Sequence, residues 1–233
     1  MKLVFIHGSG NTSEVWHYQI AHFPDAEAVN LPGHLSCGKP CTSVEDYTDW
    51  LHGYIMGHKY AGPVLVGHSL GGAIAQMYAL KYPQDVKALI LIGTGARLRV
   101  GPEFLSAMRE GIGNPSNWLK DFIQPRYSRV AAEVREKVIA RVVQVGPAVQ
   151  LNDFLCCDRF DIMDKVHQIK VPTLIICGSE DEMTPPKYAS YLASKIEGAK
   201  LALIGGGTHL AFAEKPAIVN QAIEQFLTTL EKN

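Results

Sequence analysis

Long apolar runs, an excess of charge of either sign and an even set of cysteines are all missing from this 233-residue chain. Lys plus Arg (22) nearly cancels Asp plus Glu (23), and no basic run or stripe occurs. Neither nucleic acid nor an anionic membrane is therefore an expected partner, and a small, mostly neutral ligand fits better. No apolar stretch approaches the ~20 residues of a membrane span. Met1 to Gly8 carries one lysine and a short apolar run before a glycine turn, too brief for the apolar segment of a secretory signal. The five cysteines, Cys37, Cys41, Cys156, Cys157 and Cys177, are odd in number and include an adjacent pair. That is an unusual disulfide framework, so reduced thiols in a cytoplasmic setting are expected. His17, His22, His52, His58 and His167 show no metal-ligand spacing with cysteine or carboxylate, so neither metal nor cofactor is expected. A monomer or homodimer with its own core is the expected form.

What is present is an alternation of strand and helix. Leu3 to His7, Val64 to His68, Ala88 to Gly93, Thr173 to Gly178 and Leu201 to Ile204 are β-rich runs ending at glycine or turn residues, with a further short run over Ala26 to Asn30. They read as parallel strands buried on both faces. Thr42 to Tyr60 reads as a helix, with capping-box spacing at Thr42 and Glu45 and Val44, Tyr47, Leu51 and Ile55 on one face. Leu70 to Tyr82 is apolar nearly all round, and a last helix from Pro216 repeats Val219, Ile223, Phe226 and Leu230. The pattern predicts an α/β fold built on a mostly parallel, doubly wound sheet.

That alternation fails between Gly95 and His167. No β-like run is found there, but helix starts occur at Pro102, at Asn114 with Pro115, and near Pro147, and Val130, Val134, Val138 and Val142 share a helical face. Residues 1–94 and 168–233 are thus expected to form the core, and 95–167 an all-helical cap over the carboxyl ends of the strands.

Gly67-His68-Ser69-Leu70-Gly71 matches G-x-S-x-G where a strand ends and a helix begins. Glycines permit a sharp strand-to-helix turn that lifts a serine hydroxyl clear of the sheet. The competing reading of Ser69 is a helix N-cap. A serine hydroxyl needs a base within hydrogen-bond reach, and the base needs an orienting acid. The strand at Thr173 to Gly178 runs into Ser179-Glu180-Asp181-Glu182, and the strand at Leu201 to Ile204 runs into Gly205-Gly206-Gly207-Thr208-His209. The order serine, acid, histidine is that of a nucleophile-elbow triad.

With His7-Gly8-Ser9-Gly10, Leu31-Pro32-Gly33-His34-Leu35-Ser36, Gly67 to Gly72, Gly178 to Pro185, and His209 with Glu214 to Pro216, the chain resembles the α/β-hydrolase family over essentially its whole length. The resemblance implies Ser69 as nucleophile, His209 as base and Asp181, rather than Glu180 or Glu182, as the acid. It also implies an oxyanion hole from the backbone N–H of Leu70 and one from the loop after the first strand, assigned to Ser9. A serine at position 69 excludes the dehalogenase and epoxide hydrolase chemistries of relatives with aspartate there. The chain departs from the family pattern at Asn30 (often aspartate), Leu35 (commonly glycine) and Thr208 (often glycine).

The expected activity is hydrolysis of small carboxylic esters through an acyl-enzyme. Carbon-carbon, enol-lactone and thioester substrates remain open, as does a ligand receptor with little or no turnover. Trp118, Phe122, Met183 and Leu210 are candidates for the acyl pocket, together with Phe104, Met108 and Phe154. Arg126, Arg129 and Arg159 either anchor a substrate carboxylate or are solvated surface charges. His68 is expected to pack away from the hydroxyl, and His7 and His34 to brace loops.

Overall fold

The structure, a computed structural model, describes residues 1–35 and 38–231. Ser36 and Cys37, which the sequence reading placed in a family segment and among the thiols, lie outside the described residues. Six strands form one parallel sheet: β1 (Leu3–Ile6), β2 (Glu27–Val29), β3 (Val64–His68), β4 (Ala88–Ile92), β5 (Thr173–Gly178) and β6 (Lys200–Ile204). Their spatial order is β2-β1-β3-β4-β5-β6, with every pairing parallel. The order reverses between β1 and β3, which puts the carboxyl end of β3 beside the switch point where α/β sheets hold ligands.

Alternate residues of the strands feed two cores, one on each face. Val4, Ile6, Leu65, Leu89 and Ile175 pack with residues of α2 (Val44–Gly57), α3 (Leu70–Lys81) and α6 (Pro186–Lys195). Phe5, Val66, Ile90 and Ile176 pack with Trp16, beside α1 (His17–His22), and with Val219, Ile223 and Phe226 of α7 (Pro216–Glu231). This double burial is why the central strands read as unbroken apolar runs.

The edge strand β6 departs from that reading. Leu201 and Leu203 are 44% and 55% exposed, because a strand with one neighbour at the rim of the sheet is not covered on both sides. The helix expected from Thr42 is also displaced. It begins at Val44 with Ser43 as N-cap, whose hydroxyl accepts from the Asp46 N–H at 3.0 Å, while Thr42 donates to the Asp46 carboxylate. Both Ser43 and Asp46 sit one residue beyond the expected pair, so the same capping logic applies in the next register.

Between β4 and β5 the chain forms the helical cap. α4 (Pro102–Gly113) is followed by short turns at Pro115–Asn117 and Gln124–Arg126 that flank a π-helical stretch, Trp118–Ile123, and then by α5 (Ala132–Arg159). α5 is two helices joined at Gly146, whose φ of 81° suits glycine, and the second half starts at Pro147 as expected. Val130, Val134, Val138 and Val142 are all buried. An antiparallel bridge between Arg97 and Asp161 closes the base of the insertion. Among the described residues no helix is long and apolar enough to cross a membrane.

Candidate active site

Ser69 stands between β3 and α3 with φ 52° and ψ −114°, a backbone region that L-residues avoid. Holding a non-glycine residue there costs on the order of 1–3 kcal/mol, and the surroundings must impose it. They do so by hydrogen bonds: the Ser69 N–H donates to Ile92 O at 3.0 Å, and its carbonyl accepts from Gly72 N and from Thr94 Oγ1, both at 2.9 Å. The flanking glycines are steric requirements. A Cβ at Gly67 would fall 2.2 Å from Gly71 O, and one at Gly71 2.1 Å from Ile6 O. The Ser69 side chain makes no cap hydrogen bond to α3, so the N-cap reading of this serine does not hold.

Asp181 follows β5 and is 3% exposed. Its carboxylate accepts from the N–H groups of Met183 and Thr184 at 2.9 and 2.8 Å, from Thr184 Oγ1 at 2.8 Å, and from His209 Nδ1 at 2.9 Å. Burial alone would raise the pKa of this carboxyl, but His209 and the Thr184 donors outweigh it and hold the group below the usual carboxylate value. With Nδ1 committed to Asp181, His209 keeps Nε2 as its second ring nitrogen. Glu180 is turned outward to Arg129 Nη1 at 2.7 Å, and Glu182 is exposed, so neither neighbouring acid reaches the imidazole.

The turn carrying His209 is braced by Thr208, one of the departures from the family pattern. Its N–H donates to Glu214 Oε2 at 2.8 Å and its hydroxyl to Glu214 Oε1. Leu35, another departure, keeps the left-handed φ of 61° that glycine would adopt there and leaves its side chain 44% exposed. Asn30, the third, accepts from the Ser13 N–H at 2.7 Å.

Three buried histidines hold the surrounding loops, with protonation states fixed by their partners. His7 Nε2 accepts from Leu31 N at 3.1 Å, so Nδ1 carries the proton and donates to Gly8 O at 2.9 Å. His68 Nε2 lies 3.0 Å from the His209 carbonyl, which can only accept, so that nitrogen is the donor. His68 therefore does more than pack: it pins the backbone of residue 209. His34 donates from both nitrogens, to Pro32 O at 3.1 Å and to Asp153 Oδ2 at 2.8 Å, and is an imidazolium. Asp153, fully buried on α5, also accepts from Tyr47 Oη at 2.9 Å and from Gly10 N at 2.8 Å, so it fastens the glycine loop after β1 to the cap.

These states set an acid limit on stability. Burial, with the neighbouring histidines adding to it, depresses His7 and His68 well below the ordinary imidazole pKa of 6.5. Each is neutral when folded and protonated when unfolded below that value, so the unfolded state takes up protons and folding weakens as pH falls. His34 runs the other way: burial opposes its charge, but Asp153 raises its pKa, and its contribution is lost only as pH rises above 6.5. Urea unfolding between pH 7 and pH 5 should therefore show stability falling by up to about 1.4 kcal/mol per pH unit for each of His7 and His68. A flat profile over that range would contradict the neutral assignment.

Ser69 and His209 line one cavity of about 680 Å³ under the cap. Of the pocket candidates, Phe104, Phe122, Phe154, Met183 and Leu210 line it, together with Ser9 and Arg126. Trp118 does not. It is 4% exposed, packs over Gly111 and donates from Nε1 to Gln150 Oε1 at 3.0 Å, so it belongs to the cap's own core, as does the fully buried Met108. A smaller cavity of about 250 Å³ also reaches Ser69 and His209 and is lined by the more polar Arg99, Glu103 and Lys187. Leu70 opens α3, so its N–H is one of the first-turn donors that have no intrahelical acceptor. The loop bearing Ser9 comes close to the serine, since a Cβ at Gly8 would lie 3.1 Å from Ser69 Cβ. Thr184 and Asp153 escaped the sequence reading. A lone acid on a helical face otherwise occupied by Phe154, Cys156 and Cys157 was the available signal for Asp153.

Residues 3–222 match the model of the alpha/beta hydrolase family. The chain belongs to that family. As an α/β-hydrolase it is similar to a thermophilic esterase of known structure, 32% identical, with a TM-score of 0.83 over 98% of this chain and 90% of that one. It is 27% identical to the pimeloyl-[acyl-carrier protein] methyl ester esterase of Neisseria meningitidis over 91% of this chain and 86% of that protein. Another relative, polyketide synthase ThaQ of Burkholderia thailandensis, is 33% identical over 70% of this chain, which spans only 8% of that protein's length. The enol-lactonase of Burkholderia xenovorans shares the α/β-hydrolase fold, with a TM-score of 0.84 at 22% identity.

Proposed function

We propose that this α/β-hydrolase is a serine carboxylesterase that cleaves small carboxylic esters through an acyl-enzyme on Ser69. The reading is carried by one arrangement: a serine on a strained turn shares a cavity with an imidazole whose other nitrogen is bound to a buried carboxylate. In this reading His209 Nε2 takes the Ser69 proton as Oγ attacks the carbonyl carbon, and returns it to the departing alkoxide. Asp181 fixes the tautomer and stabilises the imidazolium. The N–H groups of Ser9 and Leu70 receive the oxyanion, a service worth roughly 100- to 1,000-fold per donor in other acyl-transfer enzymes. Water then attacks the acyl-enzyme by the same route and releases the acid.

The names of the esterase relatives support ester over carbon-carbon substrates. Phe122, Met183 and Leu210 give the larger cavity the apolar wall that an acyl chain needs. The test is steady-state turnover of a p-nitrophenyl ester series from acetate to decanoate, run beside a lactone and a thioester of matched length. Sustained turnover with the esters fastest supports the reading. A single burst without further turnover would instead identify a ligand receptor, and a faster lactone or thioester would move the substrate class.

A further inference from the structure

Among the described residues, Arg126 is the arginine of the larger cavity wall that has no carboxylate partner. Arg129 on the same wall is paired with Glu180, and Asp181 with His209. Arg126 lies at the end of the stretch that carries Phe122, with its guanidinium carbon 3.4 Å from the centre of the Phe122 ring and 5.1 Å from that of Phe104. Its Nη1 donates to the Phe122 carbonyl, which fixes the fork, while Nε is shut off from solvent and finds no acceptor. Among the described residues no carboxylate pairs with it, and burial pushes its pKa down to about 10, the mark of a cation held without an anion. It remains charged at neutral pH. Stacking on an aromatic face returns part of the lost hydration, and an oxyanion on the remaining donors would return more, since guanidinium and carboxylate pair by two parallel bonds.

We propose that Arg126 receives a second acidic group, a carboxylate, on the ester cleaved at Ser69, so that preferred substrates are esters carrying a free carboxylate at the end remote from the scissile bond. The inference rests on the esterase reading and deepens it. Phe104, Phe122 and Phe154, which line the same cavity as Ser69 and Arg126, would hold the methylenes between the two polar ends. A neutral ester fills the same wall but leaves the guanidinium uncompensated. Arg129 and Arg159 have no such role. Arg129 is exposed and paired with Glu180, and Arg159 donates to Thr42 O.

The test compares p-nitrophenyl hydrogen glutarate with p-nitrophenyl valerate, which have equal acyl length, and the butyrate ester of glycolic acid with that of ethanol, which moves the carboxylate to the alcohol. Wild type should favour one carboxylated ester over its neutral partner by at least about tenfold in kcat/KM, mostly through KM. Arg126→Gln should erase that ratio, and Arg126→Lys should keep part of it, since it retains the charge but not the fork. An unchanged ratio in Arg126→Gln, or a wild-type preference for the neutral esters, would overturn the proposal. So would a stronger, Arg126-dependent preference for the butyrate ester of 2-hydroxyethyl phosphate, which would assign the site to a phosphate. If no ester is hydrolysed at all, the esterase reading has failed. Calorimetry of glutarate and valerate on Ser69→Ala, with and without Arg126→Gln, then decides the anion site separately: Arg126-dependent glutarate binding supports it, and equal binding of the two acids rejects it.

Discussion

Ser69→Ala should lower kcat for p-nitrophenyl esters by at least about a thousandfold and leave the fold intact, in line with triad deletions in characterised serine hydrolases. The two halves of that expectation have separate causes. The hydroxyl makes no cap hydrogen bond to α3, so removing it leaves no backbone donor newly unsatisfied, and the change in stability should stay within about 1 kcal/mol. The backbone bonds that impose the strained turn, to Ile92, Gly72 and Thr94, do not involve the side chain and survive the substitution. What disappears is the hydroxyl proposed to attack the ester carbonyl. His209→Ala should cost a similar factor, and the double variant no more than either single one, because the two groups act as one unit. Additive losses would mean that they do not.

The second large effect is expected at Asp181. Its two carboxylate oxygens face donors alone: the Met183 and Thr184 N–H groups, the Thr184 hydroxyl and His209 Nδ1. In Asp181→Asn the amide NH₂ must confront at least one of them, and the imidazole loses the acceptor that keeps its proton on Nδ1. With Nε2 protonated the ring cannot take a proton from Ser69. A fall in kcat of about 100- to 10,000-fold is expected, together with a stability loss on the order of 1–3 kcal/mol from buried donors left without an acceptor. Glu180→Gln and Glu182→Gln should cost far less, since these side chains face solvent or Arg129. Kinetics and urea unfolding of the three variants measure both effects. A larger kcat loss at Glu180 or Glu182 would reassign the acid.

The sheet was legible because its strands are buried on both faces, so that runs such as Val64 to His68 and Thr173 to Gly178 needed no alternation to be recognised. The turn at Ser69 was legible because glycine is forced by contact at Gly67 and Gly71, where any Cβ would strike backbone, and the Asp181 and His209 segments because each follows a strand. What escaped was the chemistry that needs three dimensions. An apolar residue in a helical cap is equally suited to line a cavity or to pack helix on helix, and only the fold places Phe122 in the first group and Trp118 in the second. Asp153 belongs to the same class: its partners Gly10, His34 and Tyr47 lie more than a hundred residues away along the chain. The exposed side of β6 was missed because the run Leu201 to Ile204 carries no sign of its place at the rim. The register of the α2 cap failed by a single residue because Thr42-Ser43 and Glu45-Asp46 offer two overlapping capping pairs.

Acid-quenching the enzyme during turnover of a slowly deacylating p-nitrophenyl ester, and mapping the added acyl mass by peptide mass spectrometry, addresses the chemistry at its origin. The mass should appear on the peptide containing Ser69 and vanish in Ser69→Ala. An acyl group found instead on Ser9, Ser128 or Ser179, which line the same cavity, or full turnover with no acylated peptide, would contradict the account.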